Sequence, residues 1–425
     1  MSYRDFDREQ RDEELGRLWC EFNQIREEGL KLNMARGVPS PDQLSLSLGM
    51  LDILHAEADC TAEDGTDCRN YGVMDGIPEC KRLMADLMGV SPEMVMIGGN
   101  SSLNMMFDAI SCFMNHPAVP GNPAWSLVPD RKFLCPVPGY DRHFGVTGYF
   151  GFEMIPVPMD ANGPDMDVVE ELVKDPSVKG MWCVPKYSNP TGVTYSDEVV
   201  RRIAALKPAA ADFRVMWDNA YCIHDLTDEP DELLNIFAEC EKTGNTDLVI
   251  TFCSTSKITF PGSGVAAMAA SENNMKIIKE KYKYQTIGYD KLNMLRHVRF
   301  FGDLDGMKAH MKKHAEVLRP RFEIVLDKLG QLSDTGVVWY NRPRGGYFVS
   351  VNVMDGTAKR VVALCKDAGV NLTGAGATYP NGIDPYDSNI RIAPSFPSLE
   401  ELSAAMDVFC LCTRIAALEK MNELI

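Results

Sequence analysis

The sequence predicts an α/β protein: a large domain built on a mostly parallel sheet covered by helices, followed by a smaller α+β domain. Three observations carry this expectation. Between Met94 and Ala270, short apolar, β-branched runs alternate with stretches of helical spacing, the pattern of strands joined by helical crossovers. After Ala270 that alternation gives way to longer helical stretches and a hairpin-like signal around Arg342–Gly346. A chain of 425 residues also exceeds the size at which one core keeps growing, so two or three domains are expected.

Taken in order, the residues up to Leu30 form a charged amphipathic helix with Leu15, Leu18, Trp19, Phe22 and Ile25 on one side. Leu32–Pro41 is a crossing segment punctuated by Gly and Pro, and loop-rich sequence follows through Cys60 to Asp67. A helix is expected at Pro78–Met88. Met94–Ile97 is a short strand ending in Gly98–Ser102, after which Leu103, Met106, Phe107 and Ile110 keep helical spacing. Further strands are expected at Lys132–Val137, Phe152–Val157, Met181–Val184, Phe213–Trp217, Leu248–Cys253 and Val265–Ala270, with helices at Met166–Val173 and Glu198–Leu206. Beyond them lie helices at Glu272–Tyr284, Gly306–Leu329, Ala358–Ala368 and Leu399–Lys420, and strands at Val337–Tyr340, Tyr347–Val351 and Asn389–Ile392. The expected division is 1–48 for an N-terminal helix and arm packing with the small domain, 49–305 for the large domain and 306–425 for the small one.

Composition narrows the function classes. Hydrophobic residues at 45% and charged ones at 24% are ordinary for a globular enzyme, and no apolar run reaches the length of a membrane span. A net charge of -17 argues against nucleic acid or anionic membrane as the main partner and favours a small molecule. The N-terminus lacks an apolar signal core, and thirteen scattered cysteines without a C-x-x-C pair suit reduced thiols, so a cytoplasmic location is expected. No metal site is expected. Cys410 and Cys412 lie in a helical pattern, and His310 and His314, although at helical ligand spacing, bracket two lysines and read as a solvated helix face.

Lys257 is the one ionisable side chain in Ser254–Gly262, directly after the strand at Leu248–Cys253. Open α/β sheets bind ligands at the carboxyl ends of their strands. An amine there, beside the hydroxyls of Ser254, Thr255 and Ser256, suits a phosphorylated carbonyl cofactor: the amine forms a Schiff base and the hydroxyls bind phosphate. Pyridoxal phosphate is the candidate. Alone, the S-x-S-K stretch is weak evidence, since a lysine after a serine-rich strand end is more often a solvated loop residue. Three further loops at expected strand ends carry polar or aromatic groups, Pro138–His143, Tyr187–Gly192 and Asp218–Tyr221. The Gly-rich turn at Gly98–Ser102 opens a helix whose unpaired N–H groups make an anion seat; the plainer reading is a helix capped by Asn100 or Ser101.

With these residues in view, the chain resembles the fold type I pyridoxal-phosphate aminotransferases of class I/II. It is most similar to the sub-class Ic aspartate aminotransferases, whose R-N-Y-G-x-x-D-G, C-P-V-P-G-Y-D-R-H-F, S-N-P-T-G, W-D-N-A-Y and S-T-S-K-I-T stretches recur here. The resemblance implies the fold type I α/β architecture and a ping-pong transfer of an amino group from L-aspartate to 2-oxoglutarate. It further implies that Lys257 carries pyridoxal 5'-phosphate as an aldimine and then moves the α-proton. Asp218 would pair with the pyridine nitrogen, Asn189 and Tyr221 would bind the ring oxygen, Tyr140 would stack on the ring, and His143 would support Asp218. Asn100, Ser101, Ser102, Ser254 and Ser256 would bind the phosphate, and Tyr71 would cross to a neighbouring subunit's phosphate, which implies an obligate homodimer. Arg391 would grip the substrate α-carboxylate, with Asn189 and the backbone at Gly37 beside it.

One departure from the family stands out. Many relatives carry an arginine shortly after the lysine, whereas Pro261–Val265 contains no basic residue; Arg69, beside Tyr71, is the expected substitute, from its own chain or from the partner chain. A distal substrate carboxylate needs a second cation, for which Arg36, Arg142, Lys186 and Arg344 are the candidates. Aromatic, 2-aminoadipate or alanine donors, a C–S lyase or decarboxylase reaction on the same cofactor, and a non-catalytic regulatory module are the alternatives.

Overall fold

The computed structural model describes residues 2–423. Helix α1 (Arg8–Glu28) begins at a capping box between Asp7 and Gln10 and stops at Gly29, whose φ of 67° places it in the left-handed region. Leu18 and Phe22 on its inner face are buried in the same cluster as Val349, Leu402 and Phe409 of the C-terminal unit. The arm then runs through β1 (Leu32–Asn33) and α2 (Pro41–Ser45), the latter started by a second capping box, between Ser40 and Gln43.

The large unit follows as α3 (Pro78–Met88), β2 (Val95–Ile97), α4 (Ser102–Asn115), β3 (Lys132–Val137), α5 (Asp141–Tyr149), β4 (Glu153–Asp160) and β5 (Gly163–Pro164). It continues through α6 (Met166–Leu172), β6 (Val178–Cys183), α7 (Asp197–Ala204), β7 (Arg214–Asp218), α8 (Ile236–Thr243), β8 (Val249–Ser254), β9 (Ala266–Ala270), α9 (Glu272–Gln285) and α10 (Lys291–Phe301). The remaining elements are α11 (Leu304–Ser333), β10 (Val338–Tyr340), β11 (Val349–Val353), α12 (Ala358–Asp367), β12 (Val370–Asn371), β13 (Asn389–Ile392) and α13 (Leu399–Glu423).

Among the described residues the large sheet has the order β2-β9-β8-β7-β6-β3-β4-β5. The central pairs, β8 with β7, β7 with β6, β6 with β3 and β3 with β4, are parallel. Of these strands, β3, β6, β7 and β8 are buried on both faces, as their continuous apolar runs anticipated, whereas β4 is only partly covered. One face is covered by a cluster that includes Leu83, Val200 and Ile203, the other by Met106, Ile110, Phe113 and Trp125. Strand β9 is antiparallel to both β8 and β2, because only the short Thr255–Val265 loop separates it from β8 and a parallel return needs a helical crossover. In the C-terminal unit β10, β11 and β13 form an antiparallel sheet, and β1 of the arm pairs in parallel with β12.

Two sequence readings need correction. The segment beginning at Asp141, read as a loop, is helix α5; Gly145, Thr147 and Gly148 within it lower helix propensity and break the apolar spacing. The face carrying His310 and His314 is not solvated: both imidazoles are buried, while Lys312 and Lys313 point outward. The helices α8 and α10 also escaped the sequence reading. The inner face of α10 carries Lys291, Asn293 and His297, which hide its periodicity. No helix among the described residues is long and apolar enough to cross a membrane. No group of three or more His, Cys, Asp or Glu among them is placed to hold a metal ion.

Candidate active site

The carboxyl ends of β7 and β8, the start of α4 and the loops after β3 and β6 enclose a cavity of about 160 Å³. Lys257, Asp218, Tyr221, Asn189, Tyr140, Ser101, Ser102, Ser254 and Ser256 line it, with Leu103, Met106, Val184 and Ala220 as apolar wall. Nine of the expected site residues, scattered through the sequence from 101 to 257, therefore share one space.

Asp218 is the last residue of β7 and is buried. Its Oδ2 lies 2.9 Å from His143 Nε2, whereas its Oδ1 is buried with no protein partner among the described residues. His143 is fixed in turn: its ring stacks on Trp182 with centroids 4.1 Å apart and planes 5° from parallel. Trp182 Nε1 donates to Thr147 Oγ1 at 2.7 Å, and that hydroxyl donates to the His143 carbonyl at 2.7 Å. One turn of α5 thus holds the imidazole against one carboxylate oxygen and leaves the other without a partner among the described residues, on a residue that lines the cavity. A buried carboxylate oxygen without a donor is costly, so the position calls for an N–H from a bound group.

Lys257 has its amine 5.1 Å from the centroid of the Tyr221 ring and 5.7 Å from that of Tyr347. Burial lowers its pKa from the usual lysine value; the Asp218 charge opposes that shift and the Arg391 charge reinforces it. A larger neutral fraction makes the amine a nucleophile and base. Burial pushes the Tyr140 phenol up to about 12, the charges of Asp218 and Asp141 push the same way, and those of Arg391 and Arg142 oppose them.

The anion seat is built from two loops. Ser101 is the N-cap of α4 yet makes no side-chain capping bond, which leaves the first-turn N–H groups of the helix open toward the cavity. Ser254 Oγ and Ser256 Oγ are 3.1 Å apart, and Ser256 Oγ donates to the Asn100 carbonyl at 3.0 Å. Asn100 itself does not line the cavity; its side chain donates to the Gly262 carbonyl at 3.2 Å and braces the loop after Lys257.

Arg391, on β13, is buried at one side of this space. Its Nη1 donates to Asp141 Oδ1 at 2.9 Å and to Asn189 Oδ1 at 3.3 Å. Its guanidinium carbon stands 4.8 Å from the centroid of the Phe348 ring, and its Nε is buried without a partner among the described residues. One corner and one face of the guanidinium are fixed, and its Nε is left as an unused donor among the described residues. Gly37 lies behind Phe348, where a Cβ would come within 2.4 Å of the ring.

A family model described as aspartate amino-transferase matches residues 9–424. The chain belongs to the aspartate amino-transferase family. An aspartate aminotransferase from Corynebacterium glutamicum is 49% identical to it over 402 residues, 94% of this chain and 92% of that protein. A putative aminotransferase from Mycolicibacterium smegmatis is 46% identical over 403 residues, 94% of each chain. The crystal structure of an aspartate transaminase from Corynebacterium glutamicum matches with a TM-score of 0.96 at 47% identity, covering 99% of both chains. An α-aminoadipate aminotransferase from Thermus thermophilus, solved with N-(5'-phosphopyridoxyl)-L-leucine, shares the fold at TM-score 0.74 and 19% identity, with 94% of this chain and 95% of that one covered. The protein is an aminotransferase of fold type I.

Of the four cations considered for a distal carboxylate in this aminotransferase, two are engaged elsewhere. Lys186 donates to Asp225 at 2.8 Å and to the Cys222 carbonyl at 3.0 Å, and Arg344 pairs with Asp231 at 3.5 Å. Arg36 and Arg142 are exposed. Arg69 does not face the cavity: it is exposed and held by Asp67 through contacts of 2.9 and 2.8 Å. Tyr71 is 84% exposed, on a loop whose Asn70 and Gly72 carbonyls accept from buried Lys291 at 2.6 and 3.0 Å. Sequence reasoning missed Lys291, Asp141, Phe348 and Trp182. Only Asp141 carried a signal, as the residue between the expected Tyr140 and His143.

Proposed function

We propose that this aminotransferase holds pyridoxal 5'-phosphate on Lys257 and moves an amino group from L-aspartate to 2-oxoglutarate in two half-reactions, as a member of sub-class Ic. The observation that carries the reading is the buried, unpartnered Oδ1 of Asp218, which lines the same cavity as Lys257. A protonated ring nitrogen is the donor that oxygen requires. When bound, the cofactor supplies an aldehyde for the amine and an electron-accepting ring.

The chain's own residues supply the rest. Lys257, with its neutral fraction raised by burial, would take a proton from the substrate α-carbon and deliver it to the cofactor's exocyclic carbon. Asn189 and Tyr221 bind the ring oxygen, and Tyr140 covers the ring face. Ser101, Ser102, Ser254 and Ser256 hold the phosphate together with the start of α4. Arg391 binds the α-carboxylate through its unused Nε donor, which fixes the α-carbon over Lys257.

The distal carboxylate falls to Arg142. It follows Asp141 in the first turn of α5, it is exposed, and its charge is felt at the Tyr140 phenol inside the cavity. The exposed Tyr71 completes the phosphate seat of a second copy, so the working form is a homodimer with shared sites. A panel of aspartate, aromatic, alanine and 2-aminoadipate donors assayed against 2-oxoglutarate tests the substrate. Borohydride reduction followed by peptide mapping tests Lys257, and an active holoenzyme with unlabelled Lys257 overturns the reading.

A further inference from the structure

Four side chains from three segments form a buried hydrogen-bonded circuit that begins and ends on the main chain at Lys257. The Tyr347 hydroxyl donates to the Lys257 carbonyl at 3.5 Å and accepts from Gln43 Nε2 at 2.8 Å. The same amide nitrogen lies 3.1 Å from His314 Nδ1. His314 Nε2 is 3.1 Å from His310 Nε2, which stands 2.9 Å from the carbonyl of Ile258, the residue after the lysine. Gln43 comes from the arm, the two histidines from α11, and Tyr347 from the approach to β11; all four are buried.

The donors can be counted. Gln43 Oε1 accepts from the Ser40 N–H at 3.1 Å in the capping box, so the amide nitrogen must face Tyr347 and His314. His314 Nδ1 therefore accepts, and its proton sits on Nε2, toward His310. His310 Nε2 is then bare and accepts from His314, and the Ile258 carbonyl beside it accepts from the Ser47 hydroxyl at 3.5 Å. This arrangement needs neutral imidazoles, and burial provides for that, pushing His314 down to about 4 and lowering His310 as well. A satisfied buried polar network rigidifies the groups that it joins. This one leads to the two consecutive carbonyls beneath the cofactor-bearing amine.

We propose that Gln43, Tyr347, His314 and His310 are positioning residues that fix the main chain at Lys257 and so set where its amine stands between Asp218 and Arg391. The proposal rests on the reading of Lys257 as the cofactor lysine. It makes docking of the N-terminal arm a condition for a correctly placed amine, because Gln43 joins the two halves of the circuit and Ser47, also from the arm, stands 3.3 Å from His310 Nε2 and 3.5 Å from the Ile258 carbonyl.

Gln43→Leu and Tyr347→Phe test it in the dimeric holoenzyme. Gln43→Leu cuts the circuit away from the cavity, and Tyr347→Phe removes only the hydroxyl, keeping the ring that faces the Lys257 amine and stacks on Tyr221. The expected result is a fall in kcat of about tenfold with KM for both substrates within about twofold, since the misplaced group is the proton-moving one. The pH midpoint of the bound cofactor's visible absorption should move by about half a unit. In the cofactor-free protein, amide exchange in the peptide spanning 254–262 should quicken. Unchanged kcat and midpoint in folded variants overturn the proposal, as does a lower melting temperature with no change in either. If Gln43→Leu fails to fold, Tyr347→Phe, which removes one hydroxyl, decides alone. Borohydride labelling of Lys257 in the same samples separates failure of this proposal from failure of the cofactor assignment.

Discussion

Asp141 and Arg391 meet in an ion pair of 2.9 Å, so the arginine assigned to the substrate's α-carboxylate already carries a carboxylate of its own chain. Asp141 takes Nη1, not the Nε edge, and therefore aligns the guanidinium without occupying its receptor side. Its charge nonetheless repels an incoming carboxylate. These two effects separate by mutation. Asp141→Asn keeps an acceptor and removes the charge, and KM for every amino donor should fall about threefold, the modest size expected of a partly exposed pair. Asp141→Ala removes the anchor, and KM should rise by a similar factor. Initial-rate measurements on both variants check the sign of each.

Arg142→Gln should discriminate between donors. With aspartate, KM should rise about tenfold, the loss of one charge-assisted contact, while alanine and aromatic donors should be unaffected. Equal losses for all donors would remove Arg142 from substrate selection.

Asp218→Ala takes away both the buried, unpartnered oxygen and the partner of His143. The half-reaction with aspartate, followed by cofactor absorption in single turnovers, should slow by about 100- to 1000-fold.

The lowered pKa of Lys257 has a sign that stability can report. Between its folded value and the usual lysine value, the unfolded chain binds more protons than the folded one, so stability rises with pH through that window. Below the folded value the penalty for a buried ammonium is complete. Cofactor-free Lys257→Met should therefore melt higher than cofactor-free wild type at neutral pH, and the gap should close as the pH climbs toward the usual lysine value. Melting curves across that range check it.

The parallel sheet and the residues at its strand ends were legible in the sequence because strand periodicity and loop chemistry are both local signals. Lys257, Asp218, Asn189 and Tyr140 all stand where their strands led. What was hidden depends on partners distant in the chain. His310 and His314 read as solvated beside Lys312 and Lys313, because the Gln43 and Ile258 groups that make their burial tolerable lie far away in sequence. Lys186 and Arg344 looked available until Asp225 and Asp231 were found beside them. Asn100 was expected to touch the anion, but its amide is drawn to the Gly262 carbonyl. Helix α5 was missed because glycines interrupt it, and its first turn nevertheless brings Asp141 to Arg391 and His143 to Asp218.

The hairpin turn between β8 and β9 has a mechanical outcome. Thr255 and Val265 clasp each other across it, the Thr255 N–H reaching the Val265 carbonyl at 2.8 Å and the Val265 N–H reaching Thr255 Oγ1 at 2.9 Å. The segment bearing the amine is stapled to two neighbouring strands in the rigid middle of the molecule. Arg391, on the opposite wall, rides on a separate three-stranded sheet, so the span between amine and guanidinium is set by how that sheet docks against the large one.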